Sequence, residues 1–184
     1  LEFRRVLSDL LPAQTYSVVS PDTRLTVEIE AGAVLRYNIR YDRQLLLDSC
    51  LAALSLGDGR RPGKNATVAR IERRSVRDTI TAPVPEKRRR IPDRFEELTL
   101  HFKGGYALVF RAYDDGIAYR FATDWNDSIT VVHEDAVFHF PENRTVYYPA
   151  VSKRGDADIF HTSFEAPYKI SLLDTLPGAD LAFS

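Results

Sequence analysis

The stretch RAYDDGIAYRF, residues 111–121, decides the fold, because two alternating strand patterns meet in it at an acidic bend. Alternation places six apolar side chains on one face of two successive strands: Tyr106, Leu108, Phe110, Ile117, Tyr119 and Phe121. Asp114, Asp115 and Gly116 occupy the bend, where aspartate tolerates left-handed backbone and glycine supplies a positive φ. Catalytic carboxylates would need a cleft and a raised pKa, which a hairpin tip rarely provides. We therefore interpret DDG as a hairpin turn in preference to an acid/base pair.

The same period of two recurs along most of the chain. LTVEIE (25–30) and VLRYNIRYD (34–42) alternate apolar and polar residues on either side of a short turn, which predicts a hairpin. Four further strand patterns follow with short connections: ELTLHF, GGYALVFRAY, IAYRFAT and ITVVHEDAVFHF. Segments 57–65 and 82–94 are rich in glycine or proline and are expected to lie outside regular structure. Because no long amphipathic helix interrupts the strands, the sequence predicts an all-β, antiparallel sandwich with few or no helices.

Length and composition fit one soluble domain. The chain has 184 residues, 25 Lys and Arg against 26 Asp and Glu, and a formal net charge of −1. This balance gives no overall field for nucleic acid, and no apolar run approaches the roughly 18 residues that span a bilayer. Methionine is absent, so we expect a piece of a longer product, with residues 1–15 a tag, signal remnant or linker and residues 16–184 one domain. Cys50 is expected to be a small buried side chain.

Two sets of residues suggest chemistry, and in both the pattern favours a simpler interpretation. The basic run Lys87–Arg90, with Arg94 nearby, lacks the interleaved aromatic residues that stack on bases, which favours a solvated loop. The four histidines are His101, His133, His139 and His161. Their spacings match no compact zinc motif, and no phosphate-binding or nucleophile-elbow motif is present.

The C-terminal segment 141–173 alternates poorly and concentrates aromatic residues among polar ones. These are Tyr147, Tyr148, Phe160, Phe164 and Tyr168. Aromatic rings pack on the apolar faces of sugars while neighbouring polar groups bind the hydroxyls, so the segment is a candidate sugar site. Glu165 lies within it, and its local sequence alone favours a surface carboxylate beside a buried aromatic residue.

The order of several segments resembles the N-terminal domain of glycoside hydrolase family 97. The resemblance runs from about Tyr16 to the C terminus, and RAYDDGIAYRF is its most specific part. Its other stretches are SPDTRLTVEIEAGAVLRYNIRYDRQLLLDS, ELTLHFKGGYALVF, EDAVFHFP and SFEAPYKISLL. It implies a β-supersandwich of the galactose-mutarotase-like kind, which in the family precedes a (β/α)8 catalytic barrel and a small C-terminal sheet domain.

This resemblance also implies a function. Family members are exo-acting enzymes that hydrolyse α-glucosides with inversion or α-galactosides with retention, using a calcium ion and carboxylates of the barrel. No catalytic residue is therefore expected in this chain. The family's N-terminal domain supplies one glutamate to the calcium, and Glu165 in SFEAPY is its best match here. The resemblance further implies export to the periplasm or cell surface of a Gram-negative bacterium, which a single cysteine permits.

One segment departs from the family's pattern. The loop before ELTL commonly carries aromatic and acidic residues in the family, whereas here it reads VPEKRRRIPDR, residues 84–94. If this loop meets the barrel, substrate preference or domain docking would differ.

We therefore expect a domain that packs on a catalytic barrel, helps to close its oligosaccharide pocket and has no hydrolytic activity alone. Two alternatives stay open. One is a stand-alone carbohydrate-binding or mutarotase-like module. The other is a purely structural interaction domain without sugar or metal contacts in residues 141–172.

Overall fold

The described part of the protein consists mainly of β-strands. The structure, a computed structural model, describes residues 13–85, 87–150 and 167–176. Within these ranges the elements are β1 Gln14–Val19, β2 Leu25–Ala31, β3 Arg36–Tyr41, β4 Gln44–Leu56, β5 Val68–Thr81, β6 Arg90–Phe102, β7 Tyr106–Tyr113, β8 Ile117–Thr123, β9 Val131–Val137, β10 Thr145–Tyr148, β11 Lys169–Leu172 and a 3₁₀ turn, Leu173–Thr175. All strand pairs in these ranges are antiparallel, so the predicted all-β class is confirmed. Among the described residues, no helix is long and apolar enough to cross a bilayer.

The chain falls into two compact units, Leu1–His139 and Phe140–Ser184. In the first unit, the strands form one sheet of order β1-β2-β3-β4-β9 and a second of order β5-β6-β7-β8. The chain therefore crosses to the second sheet after β4 and returns after β8. The predicted hairpin of β2 and β3 is confirmed, with Val27 opposite Ile39 and Ile29 opposite Tyr37. In the second unit, β10 pairs with β11.

The two sheets of the first unit enclose one apolar core. Side chains from both sheets are fully buried in it, among them Val27, Ile29, Tyr37 and Cys50 from the first sheet and Leu98, Leu100, Leu108 and Phe110 from the second. The alternation seen in the sequence produces this burial, because every second side chain of a strand points inward. Burial of each large apolar side chain is worth roughly 1.5–3 kcal/mol. The expectation that Cys50 is a small buried side chain is confirmed.

Aromatic rings connect the two sheets across this core. Tyr37 of β3 contacts Phe110 of β7 and Tyr119 of β8, with ring centroids 5.5 and 5.8 Å apart. The rings of Phe110 and Tyr119 are themselves 5.6 Å apart. Burial raises the pKa of Tyr37, so its hydroxyl stays protonated across the physiological range. The three rings thus form an inter-sheet cluster, which we call the aromatic triad.

The DDG bend joins β7 to β8, as predicted. Leu108 pairs with Phe121 and Phe110 with Tyr119, so the apolar face continues across the hairpin. The backbone N–H of Tyr113 donates to the carbonyl of Gly116, 2.8 Å away. The expected role of a positive φ is wrong, because neither the two aspartates nor Gly116 has a left-handed backbone. The bend therefore depends on aspartate for another reason.

Asp114 holds the tip of this hairpin to the other sheet. Its carboxylate accepts a hydrogen bond of 2.8 Å from the backbone N–H of Asp22, in the turn between β1 and β2. In that turn, the carboxylate of Asp22 accepts bonds from the Ser20 hydroxyl and the Arg24 N–H, at 2.6 and 3.0 Å. The bond from Ser20 is the main cause that lowers the pKa of Asp22. Residues from the SPD and DDG stretches thus meet at one corner of the sandwich.

The glycine-rich segment after β4 is ordered by backbone hydrogen bonds, although it forms no strand. The N–H of Leu54 donates to the carbonyl of Pro62, and the N–H of Leu35 donates to that of Gly63, at 2.9 and 2.8 Å. Gly63 has φ +88°, and a Cβ there would lie 2.3 Å from the carbonyl oxygen of Ala52. Only glycine fits so close to β4.

Strand β5 is an element that the sequence pattern does not reveal. It is an edge strand of 14 residues, nearly all exposed, in a segment that reads as merely polar. Its partner β6 begins at Arg90, inside the proline-rich segment expected to lack regular structure. Pro92 lies opposite Thr79, in a part of β6 that does not pair with β7. Proline is tolerated there because this part of β6 has one partner strand, so its missing N–H removes no hydrogen bond to a second strand.

Replacing Gly63 by alanine should destabilise the fold far more than the same change at Gly59. Both glycines have φ near +90°, but a Cβ on Gly59 would meet no atom within 4 Å. We expect a loss of about 1–2 kcal/mol for Gly59→Ala, from backbone strain alone. Gly63→Ala should cost more than about 4 kcal/mol, because the backbone of β4 must also move. Urea unfolding followed by circular dichroism measures both, and equal losses would contradict the close-approach argument.

Replacing Asp114 by alanine should weaken the corner, whereas Asp115→Ala should not. Loss of the acceptor for the Asp22 N–H is expected to lower the free energy of unfolding by about 1 kcal/mol. Asp115 is the matched control, since the structure gives its exposed side chain no hydrogen bond to a described residue, and its change should stay within about 0.5 kcal/mol. The same urea titration at neutral pH compares them. If Asp115→Ala lowered the free energy of unfolding as much as Asp114→Ala, the preference of aspartate for turns would explain both losses, and the bond to Asp22 would contribute nothing.

Candidate functional site

The described part of the second unit carries an exposed apolar surface. In its two-stranded sheet Tyr147 pairs with Ile170 and Thr145 pairs with Leu172, so these four side chains share one face. Tyr147 is 65% exposed, Ile170 64% and Leu172 47%. We call this surface the β10–β11 face. Exposed apolar residues grouped in this way mark binding surfaces more often than single ones do.

Aromatic side chains give this unit a means of contacting sugars. Tyr168 lies directly before β11 and is half exposed, like Tyr147, whereas Tyr148 is buried. Phe160, Phe164 and the predicted calcium ligand Glu165 lie outside the described residues. The role of Glu165 therefore stays a prediction.

On the outer face of the second sheet, a carboxylate is held between two arginines. Glu97 of β6 accepts hydrogen bonds from Arg111 of β7 at 2.7 Å and from Arg74 of β5 at 3.2 Å. Burial acts to raise the pKa of Glu97, but the two guanidinium groups outweigh it and hold this pKa below its usual value. Arg111 also lies over the ring of Phe95, 4.3 Å from its centroid. Sequence reading missed this cluster, since its members are ordinary charged residues on three different strands.

A shallow depression lies beside this cluster on the β7–β8 hairpin. Its volume is about 150 Å³, and its lining includes Val109, Arg111, Tyr113 and Arg120. It is too small for an oligosaccharide, because ligand sites commonly have volumes of several hundred Å³. Asp114 and Asp115 are not among the residues that line this depression.

The described histidines do not meet one another in a metal site. His101 contacts Arg70, His133 contacts Asp135, and the backbone N–H of His139 donates to Cys50. His161 lies outside the described residues. Across 13–85, 87–150 and 167–176, no group of three histidine, cysteine or acidic side chains could hold a metal ion.

The basic run occupies the tip of the β5–β6 hairpin. Lys87, Arg88, Arg89 and Arg90 are all exposed, as a solvated segment would be. Arg94 is also exposed and belongs to β6.

Comparison with known proteins shows similarity to longer enzymes. A retaining alpha-galactosidase of Bacteroides thetaiotaomicron is 32% identical over 171 residues, which make up 91% of this chain and 26% of that protein. The fold resembles that of a beta-arabinopyranosidase, with a TM-score of 0.72 and 22% identity over 85% of this chain and 26% of the other. It also resembles a glycoside hydrolase family 97 enzyme from Pseudoalteromonas sp. strain K8 in complex with acarbose, with a TM-score of 0.66 and 17% identity over 85% of this chain and 24% of the other. The chain thus spans about a quarter of the length of these proteins.

The family profile described as Glycosyl-hydrolase 97 N-terminal matches residues 18–183, almost the whole chain. Together with the identity to the alpha-galactosidase, this match confirms the resemblance inferred from the order of the segments, of which RAYDDGIAYRF is the most specific. The chain belongs to glycoside hydrolase family 97, as its N-terminal domain.

Proposed function

We propose that this chain is the non-catalytic N-terminal domain of an exo-acting α-glycosidase that hydrolyses α-glucosides or α-galactosides. The observation that carries the proposal is that 91% of the chain aligns with only 26% of a retaining alpha-galactosidase. Such an enzyme needs a catalytic carboxylate pair, which we assign to a (β/α)8 barrel outside these 184 residues. The parent enzyme would be exported to the periplasm or cell surface of a Gram-negative bacterium.

The second unit is the part that we assign to the sugar pocket. The exposed β10–β11 face, with Tyr147 and Ile170, would be covered by the barrel, and Tyr168 would lie near the bound oligosaccharide. Two-stranded sheets are marginally stable in water, so contact with a partner would stabilise this one. Tyrosine suits such a position, since its ring packs on a sugar while its hydroxyl hydrogen-bonds.

Glu165 is proposed to ligate calcium in the parent enzyme. Its carboxylate has the hard oxygen donors that calcium prefers, but the ion takes six to eight such ligands. We assign the remaining ligands to the barrel, as the resemblance to the family implies. Bound calcium would supply positive charge to the sugar pocket. The part played by this chain is to present one carboxylate and to exclude water around it.

Replacing Glu165 by glutamine in the parent enzyme should weaken calcium binding about tenfold or more, because one anionic ligand is lost. Calcium titration by calorimetry measures the affinity, and hydrolysis of p-nitrophenyl α-glucoside and α-galactoside at several calcium concentrations gives the dependence of activity. Glu142→Gln is the matched control, since Glu142 is an exposed glutamate of the same unit that pairs with Arg144. Unchanged calcium affinity and activity in Glu165→Gln would remove the metal role.

A stand-alone carbohydrate-binding module is a second candidate, favoured by the exposure of Tyr147 and Tyr168. The proposed function predicts that the isolated chain binds calcium and maltose weakly or not at all and hydrolyses neither p-nitrophenyl substrate. Calorimetric titration of the 184-residue chain with each ligand tests this. Tight maltose binding by the chain, and its loss in a Tyr147→Ala variant that keeps Tyr148, would favour the binding module instead.

A further inference from the structure

The outer half of the β5–β6 hairpin projects beyond the sheet that carries it. Strand β6 pairs with β7 only from Phe95 onward, whereas it pairs with β5 as far as Arg90. Within the described structure, residues 77–81 and 90–94 therefore pair only with each other. We call residues 77–94 the arm, of which Glu86 lies outside the described residues. A two-stranded ribbon of this kind lacks a third strand or a core to stabilise it.

The two faces of the arm differ in character. On one face Ile80 lies opposite Ile91 and Asp78 lies opposite Asp93, and on the other Arg77 lies opposite Arg94. Ile80 and Ile91 are 50% and 43% exposed, and Val84 at the tip is 74% exposed. Like charges that oppose each other across a ribbon destabilise it, so the charges of the arm are poorly balanced within the arm itself.

Positive charge is concentrated in the arm. Residues 77–94 contain six basic and three acidic residues, a net charge of +3, although the whole chain carries −1. Among the described residues, only one of the six basic side chains has an ion-pair partner: Arg77, which contacts Glu96. The remaining basic side chains are Lys87, Arg88, Arg89, Arg90 and Arg94.

The base of the arm is firmly fixed. Glu97 bridges Arg74 and Arg111, and the ring of Phe95 packs on that of Tyr113 with centroids 5.1 Å apart. These contacts join β5, β6 and β7 directly below the arm. A fixed base lowers the entropy lost when a projecting element binds a partner.

We infer that the arm docks on an acidic, partly apolar surface of the catalytic part of the same parent enzyme. The inference rests on the proposed function, which places a much larger partner next to this domain. Protein interfaces combine apolar contacts with charged groups, and arginine is enriched in them, so a partner surface with both apolar and acidic groups suits the isoleucines and the basic residues of the arm. Nucleic acid is disfavoured, because residues 77–94 contain no aromatic side chain to stack on bases.

The test places a photo-activated benzophenone amino acid at Val84 of the intact parent enzyme. After irradiation, mass spectrometry should find cross-links to sequence beyond residues 1–184. The same group at Lys103, an exposed residue of the β6–β7 turn, is a control outside the arm. The inference predicts no cross-link from this position.

Charge reversal tests the electrostatic part of the inference. Arg88→Glu with Arg89→Glu should lower the Val84 cross-link yield about tenfold, because attraction becomes repulsion. Arg43→Glu with Lys103→Glu reverses two exposed turn residues outside the arm and should leave the yield unchanged. Thermal unfolding of the isolated chain checks that all variants fold, and raised salt should weaken the Val84 cross-link.

Each other outcome overturns a defined claim. Cross-links from Val84 to a second copy, or only within residues 1–184, would overturn the docking of the arm and leave the proposed function intact. Equal yields from both charge reversals would overturn the acidic partner surface. A native gene without a barrel would overturn the proposed function and this inference together. An unaffected Glu165→Gln enzyme with intact Val84 cross-links would overturn only the calcium role.

Discussion

The aromatic triad of Tyr37, Phe110 and Tyr119 is the contact on which the first unit most depends. It is formed by one ring from the first sheet and two from the second, so it can form only when both sheets are complete. Aromatic pairs contribute about 0.5–1.5 kcal/mol each beyond the area that they bury. Because β3 and the β7–β8 hairpin are far apart in sequence, the triad also fixes which faces of the two sheets meet.

Several positions of the RAYDDGIAYRF stretch have separate structural tasks. Arg111 binds Glu97, Tyr113 packs on Phe95, Asp114 accepts from the Asp22 backbone, and Tyr119 belongs to the triad. Alternation alone predicted the hairpin and its apolar face. It could not predict the bond between Asp22 and Asp114, because these residues are 92 positions apart and no local pattern links them. The acidic bend is thus explained by a long-range hydrogen bond, and not by glycine geometry.

Other features escaped prediction for related physical reasons. Strand β5 is exposed on almost its whole length, so its sequence lacks the apolar alternation that reveals half-buried strands. Gly63 lies against the backbone of β4, and the residues next to Gly63 in the sequence give no sign of this contact. The family was nevertheless identifiable from the order of its segments, of which RAYDDGIAYRF is the most specific. The calcium role assigned to Glu165 rests on that resemblance alone.

Exposed apolar residues are unevenly distributed over the described surface, and this distribution bears on function. They concentrate in the arm, in and directly after the edge strand β9 with Val132 and Phe138, and in the β10–β11 face. The corner at Asp114 and the aromatic triad contain none of them, so the parts that stabilise the sandwich are separate from the parts left uncovered. Grouped exposed apolar residues mark interaction sites, whereas apolar residues that are exposed singly are common on any protein surface. A domain that presents them to a larger partner can bury them, and its rigid core then fixes the geometry with which it does so.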